Sequence, residues 1–119
     1  KVFEKEQNFS EINMVNILNF KKTEGLIPVI IQEDKTDEIL MLGYMNKEAF
    51  DRTQKESVVY FWSRKRKKIW MKGETSGNKL KVKKIFTDCD KDTLLIKAEL
   101  IGENVCHKGY KSCFYQKII

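Results

Sequence analysis

The amino-acid sequence predicts an α+β fold in which a mainly antiparallel β-sheet is accompanied by one or two short helices. Apolar residues alternate with other residues between positions 94 and 100, which is the pattern of a strand with one buried face. Further short runs are rich in β-branched and aromatic residues, and polar turns separate several of them. Only two segments carry helix signals, so strands dominate the prediction.

The predicted elements begin with a short helix over residues 10–20, for which Ser10 is the candidate N-cap. Residues 28–32 and 38–44 are the next two strands, and the polar residues 33–37 between them predict a hairpin. The remaining predicted strands cover residues 58–63, 69–72, 79–86 and 93–101.

A second helix is predicted over residues 47–55, and Asn46 is a favourable N-cap for it. Met45 and Phe50 stand on either side of this cap at the two positions of a hydrophobic staple. Glu48 lies in the first turn, where the helix dipole favours a negative charge. Cap, staple and dipole therefore agree on where this helix begins.

Length and composition are those of one folded domain: the chain has 119 residues, of which 41% are hydrophobic and 34% charged. No apolar run approaches the roughly 20 residues needed to span a bilayer, so no membrane association is expected. Three cysteines are an odd number and nothing else points to secretion, which argues against a disulfide framework. The prediction is a cytoplasmic protein with reduced thiols.

The formal net charge is +6, and the basic residues are concentrated at positions 64–68 and 79–84. Such an excess suits an anionic partner, either a phosphorylated small molecule or a nucleic acid. Solvated strand faces in a lysine-rich chain explain the same composition, so charge alone leaves both interpretations open.

The segment Asp88-Cys89-Asp90-Lys91-Asp92 alternates hard oxygen ligands around a soft sulfur. The aspartates have the spacing of a calcium loop, but Thr93 stands where that loop requires glycine, and strands rather than helices flank it. In an extended segment the three aspartates would share one face and Cys89 would point to the other. Three converging carboxylates favour a divalent ion, whereas a solvated acidic turn is the ordinary alternative.

The other two cysteines, Cys106 and Cys113, are too far apart in sequence for a zinc ribbon or finger. Either could be a small buried hydrophobe. Three thiolates without a fourth protein ligand would leave a coordination position open for water, as in a catalytic zinc site. His107, the only histidine, could be a fourth ligand, a proton carrier or a structural residue.

Two further stretches suggest substrate contacts. Trp62, Ser63 and Arg64 follow one strand, and the glycine-bracketed residues 72–77 follow the next. Hydroxyls and backbone N–H groups of such a loop can hold phosphate oxygens, and tryptophans can stack on a base. An ordinary turn and core tryptophans are the competing interpretations.

Taken together and in this order, six motifs of the chain closely resemble those of the phosphoribosyl-AMP cyclohydrolases of histidine biosynthesis. The motifs occupy residues 28–30, 41–46, 60–64, 70–77, 88–92 and 106–114. We expect a single domain over residues 1–119, in which residues 25–115 match the family and residues 1–24 form an N-terminal helical segment.

The resemblance implies an enzyme that opens the adenine ring of 1-(5-phosphoribosyl)-AMP by hydrolysing the N1–C6 bond, which gives ProFAR. It implies two cofactors, Zn²⁺ at Cys89, Cys106 and Cys113, and Mg²⁺ at Asp88, Asp90 and Asp92. Zinc lowers the pKa of bound water toward neutrality, so a zinc-bound hydroxide is the expected nucleophile at C6. We expect His107 to carry a proton at this centre. The substrate-binding candidates are Trp62, Ser63, Arg64, Lys72, Gly73, Thr75, Ser76 and Gly77.

The resemblance also implies an intertwined homodimer with a mainly β pseudobarrel or sandwich fold. The zinc site would be shared, with Cys89 from one subunit and Cys106 and Cys113 from the other. Tyr110 and Lys111 stand where the family often has arginines. Many relatives carry a further C-terminal pyrophosphohydrolase domain, so this chain is either monofunctional or one half of a longer protein.

Two other functions make different predictions from the same sequence. Zinc-dependent base deaminases also attack C6 of adenine, but the chain has neither their His-x-Glu nor their Pro-Cys-x-x-Cys pattern. A basic, zinc-stabilised module that binds single-stranded RNA would show affinity that falls steeply with salt and no turnover. We expect a small phosphorylated nucleotide substrate and no nucleic-acid partner.

Overall fold

The structure, a computed structural model, describes residues 17–119. They form one helix and six strands, which confirms the α+β class. The elements are β1 (Ile27–Glu33), β2 (Ile39–Met45), α1 (Lys47–Glu56), β3 (Tyr60–Ser63), β4 (Lys68–Met71), β5 (Lys79–Thr87) and β6 (Leu94–Ile101). Of the helix predicted over residues 10–20, residues 10–16 lie outside the described part, and residues 17–20 lie in turns and bends rather than in a helix.

Four strands form one sheet in the order β2-β1-β6-β5. The pairs β1–β2 and β5–β6 are antiparallel, as predicted for a mainly antiparallel fold. β1 and β6 lie side by side in parallel, from Val29 opposite Leu94 to Glu33 opposite Ala98. The sequence predicted the β1–β2 hairpin from its polar turn, whereas the parallel pairing of β1 with β6 depends on contacts between distant segments.

The short strands β3 and β4 form a second, two-stranded sheet. Its β3 strand approaches β2 so closely that a β-carbon on Gly43 would lie 2.6 Å from the Phe61 ring. Val58 bridges to Lys81 of β5, and the N–H of Val59 donates to the carbonyl of Leu80 at 3.0 Å. These contacts fix the small sheet between β2 and β5.

Helix α1 begins where the sequence predicts. The Asn46 side chain accepts a hydrogen bond from the N–H of Ala49 at 2.8 Å, which is the capping interaction expected of asparagine. Ala49, Phe50 and Thr53 are buried, and the Thr53 hydroxyl accepts from the N–H of Tyr60 at 2.9 Å. The helix therefore packs on the small sheet and positions β3.

The core lies between one face of the larger sheet and these smaller elements. Alternate residues of β1 and β6 are buried, as the period of two predicted for residues 94–100 requires. Phe50 and Phe61 are the largest fully buried side chains that complete the cluster. The one helix within residues 17–119 lacks the length and apolar character needed to cross a bilayer.

Candidate metal and substrate site

The acidic turn, which we define as residues 88–93, connects β5 to β6. The N–H of Asp88 donates to the carbonyl of Thr93 at 3.2 Å, and the N–H of Asp92 donates to the Asp88 carboxylate at 3.1 Å. Lys91 has a positive φ of 60°, which reverses the chain. Of the two alternatives, an extended segment and an acidic turn, the structure has the turn, because two antiparallel strands are joined here within six residues.

The turn nevertheless brings the three predicted oxygen ligands together. Ligand atoms of Asp88, Asp90 and Asp92 all lie within 4.8 Å of one another. Asp88 and Asp90 are exposed, and Asp92 is half-buried. Carboxylate oxygens at this spacing fit a hard divalent cation such as Mg²⁺.

An ion pair from a distant segment reaches this cluster. Lys22 Nζ lies 2.8 Å from Asp92 Oδ2, and the N–H of Asn19 donates to the carbonyl of Lys91 at 2.7 Å. The hydrogen bond from Lys22 lowers the pKa of the Asp92 carboxyl, and the same contact raises the pKa of Lys22. Spacing within the sequence gives no signal for this contact.

The cysteine loop, which we define as residues 105–113, folds back on itself. The N–H of Val105 donates to the carbonyl of Lys111, and the N–H of Cys106 donates to that of Tyr110, both at 3.0 Å. Gly109 has a φ of 93° and closes the turn. The loop thereby brings together Cys106 and Cys113, which are seven positions apart.

The two thiols of this loop lie close enough for the protonation of one to affect the other. Cys106 is buried, whereas part of Cys113 remains accessible. Partial burial raises the pKa of the Cys113 thiol, and the neighbouring Cys106 thiol raises it further. Paired sulfurs in this setting have the donor chemistry of a zinc site.

Long-range hydrogen bonds hold the cysteine loop against β2. The Ser112 hydroxyl donates to the carbonyl of Ile39 at 2.7 Å, and the N–H of Cys113 donates to the carbonyl of Leu40 at 2.8 Å. Lys111 Nζ lies 2.7 Å from a carboxylate oxygen of Glu33 and 3.1 Å from one of Glu38. The hydrogen bond from Lys111 lowers the pKa of Glu33.

Cys89 does not join the cysteine pair. It lies exposed on the acidic turn. Within residues 17–119, the aspartate cluster is the only group of three potential ligand residues at coordinating distances, so the three cysteines do not converge in one chain. A site with only the sulfurs of Cys106 and Cys113 lacks the four-fold coordination that zinc adopts.

His107 lies at the exposed tip of the cysteine loop, directly after the buried Cys106. Its position suits contact with a molecule that approaches the thiols from solvent.

The glycine-bracketed loop after β4 is a tight turn. The N–H of Gly77 donates to the carbonyl of Gly73 at 2.8 Å, and both glycines have positive φ. A β-carbon at Gly73 would overlap the backbone of Asn78. Thr75 and Ser76 are exposed. Lys72 turns away from them, because its Nζ donates to the carbonyl of Val105 at 2.7 Å, and burial lowers its pKa.

A surface groove of about 650 Å³ lies between β2 and the small sheet. Trp62, Ser63 and Arg64, predicted to contact substrate, line it together with Tyr44 and Trp70. The Arg64 guanidinium carbon lies 4.0 Å from the centre of the Tyr44 ring. Aromatic surface beside a cation can hold a nucleobase with an attached phosphate.

Comparisons with known proteins identify the family of the chain. A family model described as phosphoribosyl-AMP cyclohydrolase matches residues 41–115. The chain belongs to this family. It is 50% identical over 101 residues to a phosphoribosyl-AMP cyclohydrolase of Solibacter usitatus, a match that covers 85% of this chain and 80% of the relative. A phosphoribosyl-AMP cyclohydrolase of Clostridium botulinum is 54% identical over 102 residues, which cover 86% and 92% of the two chains.

Some relatives of this cyclohydrolase family are longer. The histidine biosynthesis bifunctional protein HisIE of Buchnera aphidicola is 57% identical over 100 residues, which are 84% of this chain but 48% of that protein. Both the resemblance to the cyclohydrolases and the prediction of an enzyme are thus confirmed: the protein is a hydrolase of this family. Every predicted site residue lies within the matched residues 41–115, whereas Lys22 lies outside them and was missed.

Proposed function

We propose that the protein hydrolyses the N1–C6 bond of 1-(5-phosphoribosyl)-AMP in histidine biosynthesis and releases ProFAR, with zinc and magnesium as cofactors. The family match supports the substrate and the reaction class. The observation that carries the metal assignment is the presence of two separate ligand groups, three carboxylates in the acidic turn and two thiols in the cysteine loop.

In this proposal Cys106 and Cys113 of one subunit and Cys89 of a second subunit hold the zinc. The separation of Cys89 from the pair within one chain, and its exposure, favour a site completed across a dimer interface. When bound, zinc lowers the pKa of a water molecule and provides the nucleophile for C6. His107, adjacent to Cys106, would receive or return a proton as the ring opens.

Asp88, Asp90 and Asp92 would hold the magnesium ion, which pairs with substrate phosphates. The exposed hydroxyls of Thr75 and Ser76 would donate further hydrogen bonds to phosphate oxygens. A substrate with two phosphates also suits the net charge of +6.

The purine would lie in the groove between β2 and the small sheet. Trp62 and Tyr44 offer aromatic faces for stacking, and Arg64 offers two parallel N–H donors to a phosphate. Ser63 accepts from the N–H of Arg66 at 3.0 Å and so holds the start of the basic loop beside the groove.

A homodimer is supported by apolar side chains on the outer face of the larger sheet. Leu42, Ile30, Leu95 and Phe86 are neighbours in the strand register and form one row across all four strands. Leu42 and Phe86 are 43% and 45% exposed in the single chain. Contiguous apolar surface of this kind marks a protein interface.

The direct test is turnover of synthetic 1-(5-phosphoribosyl)-AMP by protein loaded with zinc and assayed with Mg²⁺. We expect ring opening that stops on zinc chelation and is lost in Cys106→Ala. Circular dichroism of the chelated protein separates loss of catalysis from unfolding, since structural metals can hold a fold together. A folded, metal-loaded protein that leaves the substrate intact would refute the proposed activity.

A further inference from the structure

Lys72 links two parts of the site that are far apart in sequence. It is the first residue of the glycine-bracketed loop, whose composition predicts phosphate binding, yet its ammonium group does not face that loop. Its Nζ donates to the carbonyl of Val105 at 2.7 Å, across 33 positions of sequence. Val105 is 2% exposed, and the next residue is Cys106.

The two ends of the cysteine loop are attached to different elements. Backbone and hydroxyl hydrogen bonds to Ile39 and Leu40 fix the Cys113 end to β2. The side chain of Lys72, which follows β4, fixes the Cys106 end. Bonds within the loop hold Cys106 near Cys113, and the contacts with Lys72 and β2 fix this loop on the rest of the fold.

We propose that Lys72 is a positioning residue that fixes the Cys106 end of the cysteine loop and so sets the sulfur geometry for zinc, rather than a ligand of substrate phosphate. This inference rests on the zinc site proposed above. Groups that orient metal ligands typically change metal affinity by about 10- to 100-fold when they are removed. Loss of the Lys72 hydrogen bond should therefore weaken zinc binding, although Lys72 supplies no ligand atom to the metal.

The test compares Lys72→Met with Lys79→Met, which changes the exposed lysine that begins β5. The zinc affinity of the purified proteins is measured without substrate, by competition with a chromophoric chelator. We expect Lys72→Met to bind zinc about 10- to 100-fold more weakly and Lys79→Met to bind it as the unmodified protein does. At saturating zinc, Lys72→Met should retain the KM of the unmodified protein.

Wild-type zinc affinity in Lys72→Met together with a raised KM would overturn the inference and assign Lys72 to phosphate. If the unmodified protein itself binds no zinc, the proposed zinc site fails and not merely the role of Lys72.

A second measurement needs no variant and tests whether Lys72 binds phosphate, even if Lys72→Met does not fold. In trace acetylation of the unmodified protein, added inorganic phosphate should leave the ratio of Lys72 to Lys79 modification unchanged. Protection of Lys72 that arises only when phosphate is added would contradict the inference.

Discussion

The acidic turn and the cysteine loop are built in different ways. The acidic turn is closed by hydrogen bonds among residues 88–93 and presents all three carboxylates from one chain. The cysteine loop is attached to β1, β2 and the segment after β4 through side chains and backbone groups distant in sequence, and it presents two sulfurs. Because local hydrogen bonds build the acidic turn, its metal affinity should tolerate substitutions elsewhere in the protein. The metal affinity of the cysteine loop should depend on substitutions in the strands that hold it.

Exchanging one ligand at each site should give the largest and most selective effects. Cys113→Ala should lose zinc and lower kcat by more than about 100-fold, because removing a ligand costs more than removing a group that orients one. Asp90→Asn should weaken Mg²⁺ binding by about 10-fold, because the charge of the site falls. Metal analysis and Mg²⁺ titration of both variants measure these effects.

Each variant serves as the control for the other. Cys113→Ala should keep its Mg²⁺ affinity, and Asp90→Asn should keep its zinc. If either variant loses both metals while its fold stays intact, zinc binding and Mg²⁺ binding depend on each other.

Ser112→Ala tests how strongly the cysteine loop depends on β2. The Ser112 hydroxyl is buried and donates to the carbonyl of Ile39 at 2.7 Å, so its loss should lower the free energy of unfolding by about 1 kcal/mol. We expect zinc to bind a few-fold more weakly and Mg²⁺ to bind as before. Urea unfolding and chelator competition measure the two effects.

Ser76→Ala, at an exposed serine whose hydroxyl accepts only a local hydrogen bond from the N–H of Asn78, is the control. It should lower stability less than Ser112→Ala does and leave zinc affinity unchanged. If the two serine variants have the same stability and the same zinc affinity, the cysteine loop does not depend on the Ser112 hydrogen bond to β2.

Acid should weaken the attachment of the cysteine loop to the β1–β2 hairpin. Lys111 holds the pKa of Glu33 below its ordinary value of 4.5, so this ion pair contributes stability above that pH. The contribution is lost as the pH falls through the lower pKa of the folded state. In metal-free protein, the stability difference between the unmodified chain and Lys111→Met should therefore shrink between about pH 6 and about pH 3.

Urea unfolding across this range measures the difference. If the difference in free energy of unfolding stays constant or widens in acid, the Lys111–Glu33 ion pair is not the interaction by which Lys111 stabilises the fold.

Lys22→Met should have the smallest effect. The Lys22 ammonium occupies one side of the carboxylate cluster at 2.8 Å from Asp92 and must move aside for a divalent ion. Its removal should raise the apparent Mg²⁺ affinity by about two- to fivefold, because a competing cation is gone. Stability should change little, as for other exposed ion pairs.

Lys21→Met, at the exposed neighbouring lysine, should leave Mg²⁺ affinity unchanged. Weaker Mg²⁺ binding in Lys22→Met would mean that Lys22 supports the site rather than competes for it.

Local signals predicted the parts of the molecule that local interactions build. The Asn46 cap, the hairpin over residues 28–44 and the alternation from residue 94 to 100 are all present. The parallel β1–β6 pair was missed, because its two strands are separated by some sixty residues and no turn specifies their register. For residues 88–92 the sequence left an extended segment and an acidic turn open, and the structure has the turn, since the chain must reverse there.

The same distinction applies to the site. Spacing predicted that the three aspartates converge, because the partners lie within five residues. It could not place Cys106 against Cys113 or Lys72 against Val105, because those contacts follow from how the strands pack. Tyr44 in the groove was missed as a site residue for the same reason, since β3 and its basic loop bring Arg64 onto its ring.

We propose that the zinc site is incomplete in one chain and is completed by a second. The most direct test of this proposal is activity in mixed dimers of two inactive variants, Cys89→Ala and Cys106→Ala, that are co-expressed and purified together. A site shared between subunits leaves one of the two sites intact in each mixed dimer, so random assembly should restore about a quarter of the unmodified activity. If each chain instead uses its own three cysteines, the mixture will be as inactive as either variant alone.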